Sequence, residues 1–343
     1  MPAIAFYISG HGFGHASRSI ELINALADCR VIVRSQVAPW LFQRRARPGV
    51  ELIPVETDTG IVQIDSLRLD AEATIASARA FMTTFDARVA TEVDFLRAQD
   101  VTMVIADLPP LGIAAAQAAG LPAIAYGNFT WDWIYANYDG GADLARQIGG
   151  IYSHTTIALR LPMWGGFETM PKVHDLPFVA RQSYRDPEDT RRALGLPLNA
   201  PIVLVSFGGY GLQDARQPIA PDYQVLWPGD VDEAAMYDGG YRYEDLVRAA
   251  DVVVTKPGYG IISECIANDT ALLYTSRGDF REYTVLVEAM PSYLRCAYIE
   301  PDQLRSGNWQ PHLDRLLAQP APAVKPATNG AEIAAKAILS VQS

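Results

Sequence analysis

Ser9-Gly10-His11-Gly12-Phe13-Gly14-His15-Ala16 decides the reading of this chain. It follows the apolar run Ile4-Ala5-Phe6-Tyr7-Ile8 and precedes a helical pattern from Ser17 to Ala27. Strand, glycine-rich turn and helix make the opening unit of a nucleotide-binding α/β domain. The glycines let backbone approach a ligand closely. The helix N-terminus then offers unpaired N–H groups and partial positive charge to an anion. Folding needs no histidine in such a turn, so two of them give the loop a chemical look.

The spacing argues against a nicotinamide enzyme. A dinucleotide fingerprint requires G-x-G-x-x-G. Here Gly10, Gly12 and Gly14 alternate, and His15 stands where the third glycine would be. After the second strand, Val31-Ile32-Val33 runs into Arg34 and Ser35, so no carboxylate is placed to meet a ribose 2′-hydroxyl. Arg34 is left as a candidate for a 2′-phosphate.

The bulk numbers set outer bounds. A chain of 343 residues has room for two domains, and its 49% hydrophobic and 20% charged residues are ordinary for a globular protein. A net charge of −11 disfavours nucleic acid and anionic membrane as main partners. Cys29, Cys265 and Cys296 are far apart and no C-x-x-C occurs, which argues against a zinc site or a disulfide framework and fits a reducing compartment. No basic region precedes the first apolar run, and no stretch approaches the length of a membrane span. A cytoplasmic protein without an integral membrane segment is the expectation.

Strand candidates at 4–8, 31–35, 51–55, 102–106 and 122–126 alternate with helical patterns at 17–27, 70–99 and 111–119. That alternation marks a parallel sheet covered on both faces. Residues 160–200 hold five prolines, with a sixth at Pro201, and Gly165-Gly166, and read as a linker with little regular structure. A second α/β unit starts at Ile202-Val203-Leu204-Val205-Ser206 and turns through Phe207-Gly208-Gly209-Tyr210-Gly211. Further strands are expected at 223–227, 251–255 and 271–275, and helices at 243–250, 261–268 and about 329–341. The reading is an N-terminal Rossmann-like domain over 1–178, a second over 179–328, and a C-terminal helix over 329–343. Two such halves, each opening with a glycine turn, would face each other across a cleft.

This arrangement resembles the two-domain GT-B glycosyltransferase fold. Gly10 to Arg18, Asn128-Phe129-Thr130-Trp131-Asp132-Trp133-Ile134-Tyr135 and Gly258-Tyr259-Gly260-Ile261-Ile262-Ser263-Glu264 resemble the glycosyltransferase-like N-terminal region of plant L-arabinokinase. No P-loop and no glycine/serine-rich kinase motif follows position 264, so sugar phosphorylation is not implied. More distantly, Gly14-His15 and Ser263-Glu264 resemble motifs of the peptidoglycan N-acetylglucosaminyltransferase family. That resemblance implies a nucleotide-sugar donor, with the glutamate on the ribose and the turn Gly208 to Gly211 near the diphosphate. Pro218 and Pro221 interrupt the stretch after Gly211, so the helix expected there is reduced.

Each candidate residue has a plain structural alternative. His15, at a helix N-terminus, can take a proton from a sugar hydroxyl, or it can merely cap the helix. His11 can face an acceptor or hold the turn. The pair lacks a visible third ligand, so no metal site is expected. Asp107 can orient an imidazole or bind a sugar hydroxyl, or serve only as an N-cap. Asn128, Trp131 and Asp132 suit an acceptor sugar, through stacking and hydroxyl binding, or anchor an irregular segment. Gly14, Gly208, Gly209, Gly258, Gly260, Ser263 and Glu264 are assigned to the nucleotide sugar, with Lys256, Arg277 and Arg281 near its charges. Arg277, Arg281 and Glu282 can instead form surface ion pairs.

The expected activity is transfer of a sugar from a nucleotide-diphosphate sugar to an acceptor, inverting, metal-independent and without a cofactor. Alternatives are an epimerase or hydrolase of the same fold, or a non-catalytic sugar- or nucleotide-binding protein.

Overall fold

The structure is a computed structural model and describes residues 2–208, 212 and 220–341. Gly209, assigned above to the nucleotide sugar, and the stretch with Pro218 lie outside the described residues.

The first half runs β1 (Ala3–Ile8), α1 (Gly14–Ala25), β2 (Arg30–Arg34), α2 (Pro39–Arg45), β3 (Glu51–Ile53), α3 (Ala71–Thr83) and α4 (Phe85–Ala98). It continues through β4 (Met103–Asp107), α5 (Pro110–Ala119), β5 (Ala123–Phe129), α6 (Trp131–Tyr135), α7 (Ala142–Tyr152), β6 (Ile157–Gly165) and β7 (Val173–Asp175). Its seven strands are all parallel, in the order β3-β2-β1-β4-β5-β6-β7. The order reverses between β1 and β4, which is where ligands of such sheets collect. Buried Ile, Val, Phe and Ala fill β1, β4 and β5 on both faces, as a doubly covered sheet requires.

The second half holds α8 (Pro187–Ala193), β8 (Ile202–Ser206), β9 (Gln224–Leu226), α9 (Glu233–Asp238), α10 (Tyr243–Ala249), β10 (Val252–Thr255) and α11 (Tyr259–Asn268). Then come β11 (Ala271–Tyr274), α12 (Glu282–Ala289), β12 (Cys296–Tyr298), α13 (Pro301–Ser306), α14 (Gln310–Leu317) and α15 (Gly330–Val341). The five strands form a parallel sheet in the order β12-β11-β10-β8-β9. Its switch point lies between β8 and β10.

The chain passes between the halves twice. Phe178 N–H donates to Ala327 O at 3.1 Å, Gly330 N–H donates to Phe178 O at 3.0 Å, and Val179 pairs antiparallel with Asn329. From there α15 packs along α1 of the first half.

Residues 160–200 are more ordered than their prolines suggest. β6, β7 and α8 lie there. Pro162 is tolerated in β6 because β7 pairs only with Ala158 to Arg160, and the ladder to β5 shifts register between Gly127 and Phe129. Pro187 sits in the first turn of α8, where its missing N–H costs nothing, and Asp186 caps that helix.

Candidate functional site

The first glycine turn ends by starting α1 at Gly14, three residues earlier than the hydrophobic pattern indicates. His15 therefore lies in the first helical turn and looks across to the end of β4. Asp107 is the last residue of that strand and is fully buried. His15 Nδ1 is 2.9 Å from Asp107 Oδ1. Arg18, one turn along α1, grips the same carboxylate through Nε at 2.8 Å and through a second, short Nη2 contact. Ser19 Oγ donates to Asp107 Oδ2 at 2.9 Å. Burial pushes Asp107 upward, but the charges and hydrogen bonds of Arg18 and His15 outweigh it and hold the carboxyl at about 2. Asp107 is thus a fixed anion and Nδ1–H its natural donor. His15 Nε2 has no partner among the described residues, and its side chain keeps 10% exposure. An imidazole held in this way presents a free lone pair for a proton.

A second carboxyl stands behind it. Asp58 accepts from Ser9 Oγ at 3.0 Å and from Trp131 Nε1 at 3.0 Å. Burial raises it to about 6, against the pull of His15 and those two donors. Trp131 is 1% exposed and lies between His15, at 6.3 Å between ring centroids, and Tyr135, at 5.4 Å. It forms the wall of the site rather than an open stacking platform. Asn128 is also fully buried, with its amide engaged within the protein. Its side chain does not reach open space, so the acceptor role expected from sequence does not match this geometry. Asp132 turns away from His15. It accepts from its neighbour's Trp133 N–H at 2.9 Å and from Thr169 Oγ1 at 3.3 Å, and burial raises its carboxyl.

The turn Gly258 to Gly260, before α11, meets the first glycine turn. A Cβ placed on Gly260 would lie 3.6 Å from the Gly14 Cα. α11 begins at Tyr259, with Gly258 as its N-cap, so Glu264 sits in its second turn and does not open the helix. Ser263 Oγ donates to Gly260 O at 2.9 Å, which commits it to the helix. Glu264 pairs with Arg181 through Oε1, and its buried Oε2 has no hydrogen-bond partner in the structure. Burial pushes that carboxyl up, opposed by Arg181. Gly208, two residues past the end of β8, has φ +68, with open space where a Cβ would point.

Cations gather where the halves meet. Lys256 has no hydrogen-bond or ion-pair partner among the described residues. Burial, then Arg277, lowers its amine to about 8. His11 is lowered to about 4 by burial and by His15, Arg277 and Lys256. It is therefore a neutral imidazole beside the cations, in a hollow shared with Arg277 and Phe280. Arg277 donates to Glu282 Oε2 at 2.9 Å and Pro257 O at 3.1 Å. Glu282 is only 4% exposed, so this is no surface pair. Arg281 is held by Trp133, through its carbonyl and over its ring at 4.4 Å. Arg34 is buried and paired with Glu92, at 2.9 and 2.5 Å, rather than open to a 2′-phosphate. Among the described residues no three His, Cys, Asp or Glu side chains are grouped to hold a metal ion. No helix among them is long and apolar enough to cross a membrane.

Sequence reading missed Arg18, Asp58 and Arg181. Arg18 lies inside the quoted motif, one turn beyond His15, a spacing that puts both on one helix face. Asp58 and Arg181 come from segments without periodicity and left no signal.

No family model matches the chain. L-arabinokinase of Arabidopsis thaliana is 29% identical over 352 residues, covering 96% of this chain. The chain spans 33% of that relative's length. Among solved structures, UGT2 of Phytolacca americana, complexed with UDP-2-fluoroglucose and pterostilbene, superposes with a TM-score of 0.61 at 12% identity over 100% of this chain and 99% of its own. The calicheamicin glycosyltransferase CalG4 gives 0.59 at 17% identity, over 99% and 94%. MurG of Acinetobacter baumannii gives 0.53 at 12%, over 99% and 100%. With two parallel sheets whose glycine turns face one another, and with these neighbours along its whole length, the chain has the GT-B fold.

Proposed function

We propose that this protein transfers a sugar from a nucleoside-diphosphate donor to an acceptor hydroxyl, with His15 as general base. The observation that carries this reading is the His15–Asp107 pair placed where two glycine turns meet. His15 Nε2 takes the acceptor proton as the acceptor oxygen bonds to the anomeric carbon. The bond from that carbon to the diphosphate oxygen breaks, and the nucleoside diphosphate leaves with its electron pair. One displacement inverts the anomeric centre. Asp107 stabilises the imidazolium so formed.

The second half is proposed to hold the donor. Lys256, Arg277 and the N–H groups opening α11 at Gly258 and Gly260 face the diphosphate and neutralise its developing charge. No metal is needed for that step. Glu264 Oε2 is the proposed acceptor for a ribose hydroxyl, since a carboxylate only accepts and a diol can donate. The fold likeness to UGT2, solved with a uridine-diphosphate sugar analogue, supports a donor of this class. The proposed division of labour puts the acceptor on residues 1–178 and the donor on 179–328. A reducing, cytoplasmic setting is in keeping with three free cysteines.

A thermal-shift screen of nucleotide sugars tests the reading first, because a ligand specific for the folded state raises its stability by mass action. The donor found there is then incubated with and without an acceptor panel. Turnover only with acceptor supports transfer. Donor breakdown without acceptor identifies a hydrolase or epimerase, and binding without turnover identifies a sensor.

A further inference from the structure

One hydrogen-bonded line runs from the first glycine turn into the second half. Arg277 Nη1 donates to Glu282 Oε2 at 2.9 Å, and Asn128 Nδ2 donates to Glu282 Oε1 at 2.8 Å. Arg18 Nη1 donates to Asn128 Oδ1 at 2.5 Å, and Arg18 Nε to Asp107 Oδ2 at 2.8 Å. His15 Nδ1 ends the line on Asp107 Oδ1. Its polarity is forced. A guanidinium only donates and a carboxylate only accepts, so Asn128 must aim its oxygen at Arg18 and its nitrogen at Glu282. Arg18, Asp107, Asn128 and Glu282 are each 4% exposed or less.

Glu282 opens α12, which packs across onto β6 of the first half. Apolar side chains of similar volume would join two surfaces at least as firmly as buried charges do. What the charges add is orientation. An acceptor and a donor compete for His15 Nδ1: Asp107 Oδ1 is 2.9 Å from it and Arg18 Nη2 is 3.0 Å from it. With Nη1 anchored on Asn128, the guanidinium stays on Asp107, and Nδ1 keeps its proton. Freed from Asn128, Arg18 can donate to Nδ1 instead. The ring must then carry its proton on Nε2, and that nitrogen can no longer accept one.

We propose that Glu282 is a positioning residue that acts through Asn128 and Arg18 to hold His15 in the Nδ1–H tautomer. The base is competent only while α12 lies against the first half. This inference rests on His15 being the base.

The test is nitrogen NMR on the full chain labelled at its five histidines, with His15→Gln to assign the signal. Ring nitrogen shifts report the tautomer directly. At neutral pH the wild-type His15 should be the Nδ1–H form. Loss of one net hydrogen bond should raise the Nε2–H to Nδ1–H ratio about three- to tenfold in Glu282→Ala and in Asn128→Ala. Glu282→Gln keeps the shape, removes the charge and should raise it about twofold, which decides the matter if the alanine variants do not fold. A wild-type ring already in the Nε2–H form, or an unchanged ratio in any folded variant of the three, overturns the proposal. The readout needs no turnover. A tautomer shift in a protein that transfers nothing sinks the transferase reading alone, while transfer with an unmoved ratio sinks this one alone.

Discussion

His15 and Asp107 are 92 residues apart in sequence and 2.9 Å apart in space, and Arg18 shares both of them. The arrangement predicts that Asp107→Asn is worse than its size suggests. The amide cannot fix the imidazole tautomer, so turnover should fall by about two to four decades. Arg18 is also left as an uncompensated buried charge, which costs about 3–5 kcal/mol. Kinetics with the donor found by screening, beside a urea melt, checks both. Near-normal turnover in the folded variant would remove Asp107 from the mechanism.

Asp58 should make the protein less stable as pH rises through mild acid. Its carboxyl titrates near 4 when unfolded and at about 6 when folded. The folded state therefore holds the proton more tightly, and its stabilising contribution, complete below pH 4, is lost as pH rises through about 6. Asp107 runs the other way: its contribution is present above about pH 4 and lost as pH falls toward 2. Asp58→Asn removes the first trend. Its melting temperature relative to wild type should climb between pH 4 and 6.5, by an amount equivalent to about 2–3 kcal/mol. A difference that does not vary with pH would show that Asp58 is not perturbed.

Lys256 should set the upper pH limit of anion binding. With its amine lowered to about 8, it loses charge just above neutrality, where an ordinary lysine would not. Pyrophosphate affinity measured by calorimetry should fall as pH rises from 7 to 9. In Lys256→Met it should be lower throughout and nearly flat. A wild-type affinity that is constant over this range would contradict the placement.

Glu264 is predicted to matter twice. Loss of charge in Glu264→Gln should weaken donor binding about tenfold, one charge-assisted hydrogen bond's worth. Arg181, 12% exposed at its side chain, loses its buried counter-ion in the same change, so stability should drop too. A 2′,3′-dideoxy nucleotide separates the effects, because it offers no diol. Equal affinity losses for both nucleotides would assign Glu264 to the fold alone.

Gly112 offers a purely structural check. A Cβ there would lie 2.6 Å from the Tyr7 ring, whose hydroxyl donates to buried Glu92 at 2.7 Å. Tyr7 has no free direction to move, so Gly112→Ala should cost about 1–3 kcal/mol by overpacking despite its helix-favouring residue. An unchanged melting temperature would mean that α5 can shift away from β1.

The sequence makes the sheets legible because both are parallel and buried on both faces. Their strands are short apolar runs, such as Ile4 to Ile8 and Val252 to Val254, and periodicity finds them. β7 and β12 escape because their few residues are half exposed and form no apolar run, and β6 escapes because Pro162 and Gly165-Gly166 make its stretch read as a linker. His15 and Asp107 are legible separately, one from its turn and one from its strand end. Their partnership with Arg18, Asn128 and Glu282 is not, since it depends on which strand lies beside which and on α12 crossing to β6. Trp131 shows the opposite failure. Its aromatic surroundings suggest a sugar platform, yet the hydrogen bond to Asp58 takes its polar edge inward.

The two passages between the halves lie side by side, joined by the Val179–Asn329 pairing. A single connection would let the halves twist, slide and separate. Two adjacent ones act as the pin of a door: they leave rotation about one line and resist the rest. Cutting the backbone at one passage should therefore not release either half, and a protease-nicked molecule should still migrate as a single particle until it is denatured. New chain ends opened near 178 would keep the pin closed through Asn329, which marks this spot, and not the exposed loops alone, as a place where the order of the two halves along the chain could be exchanged.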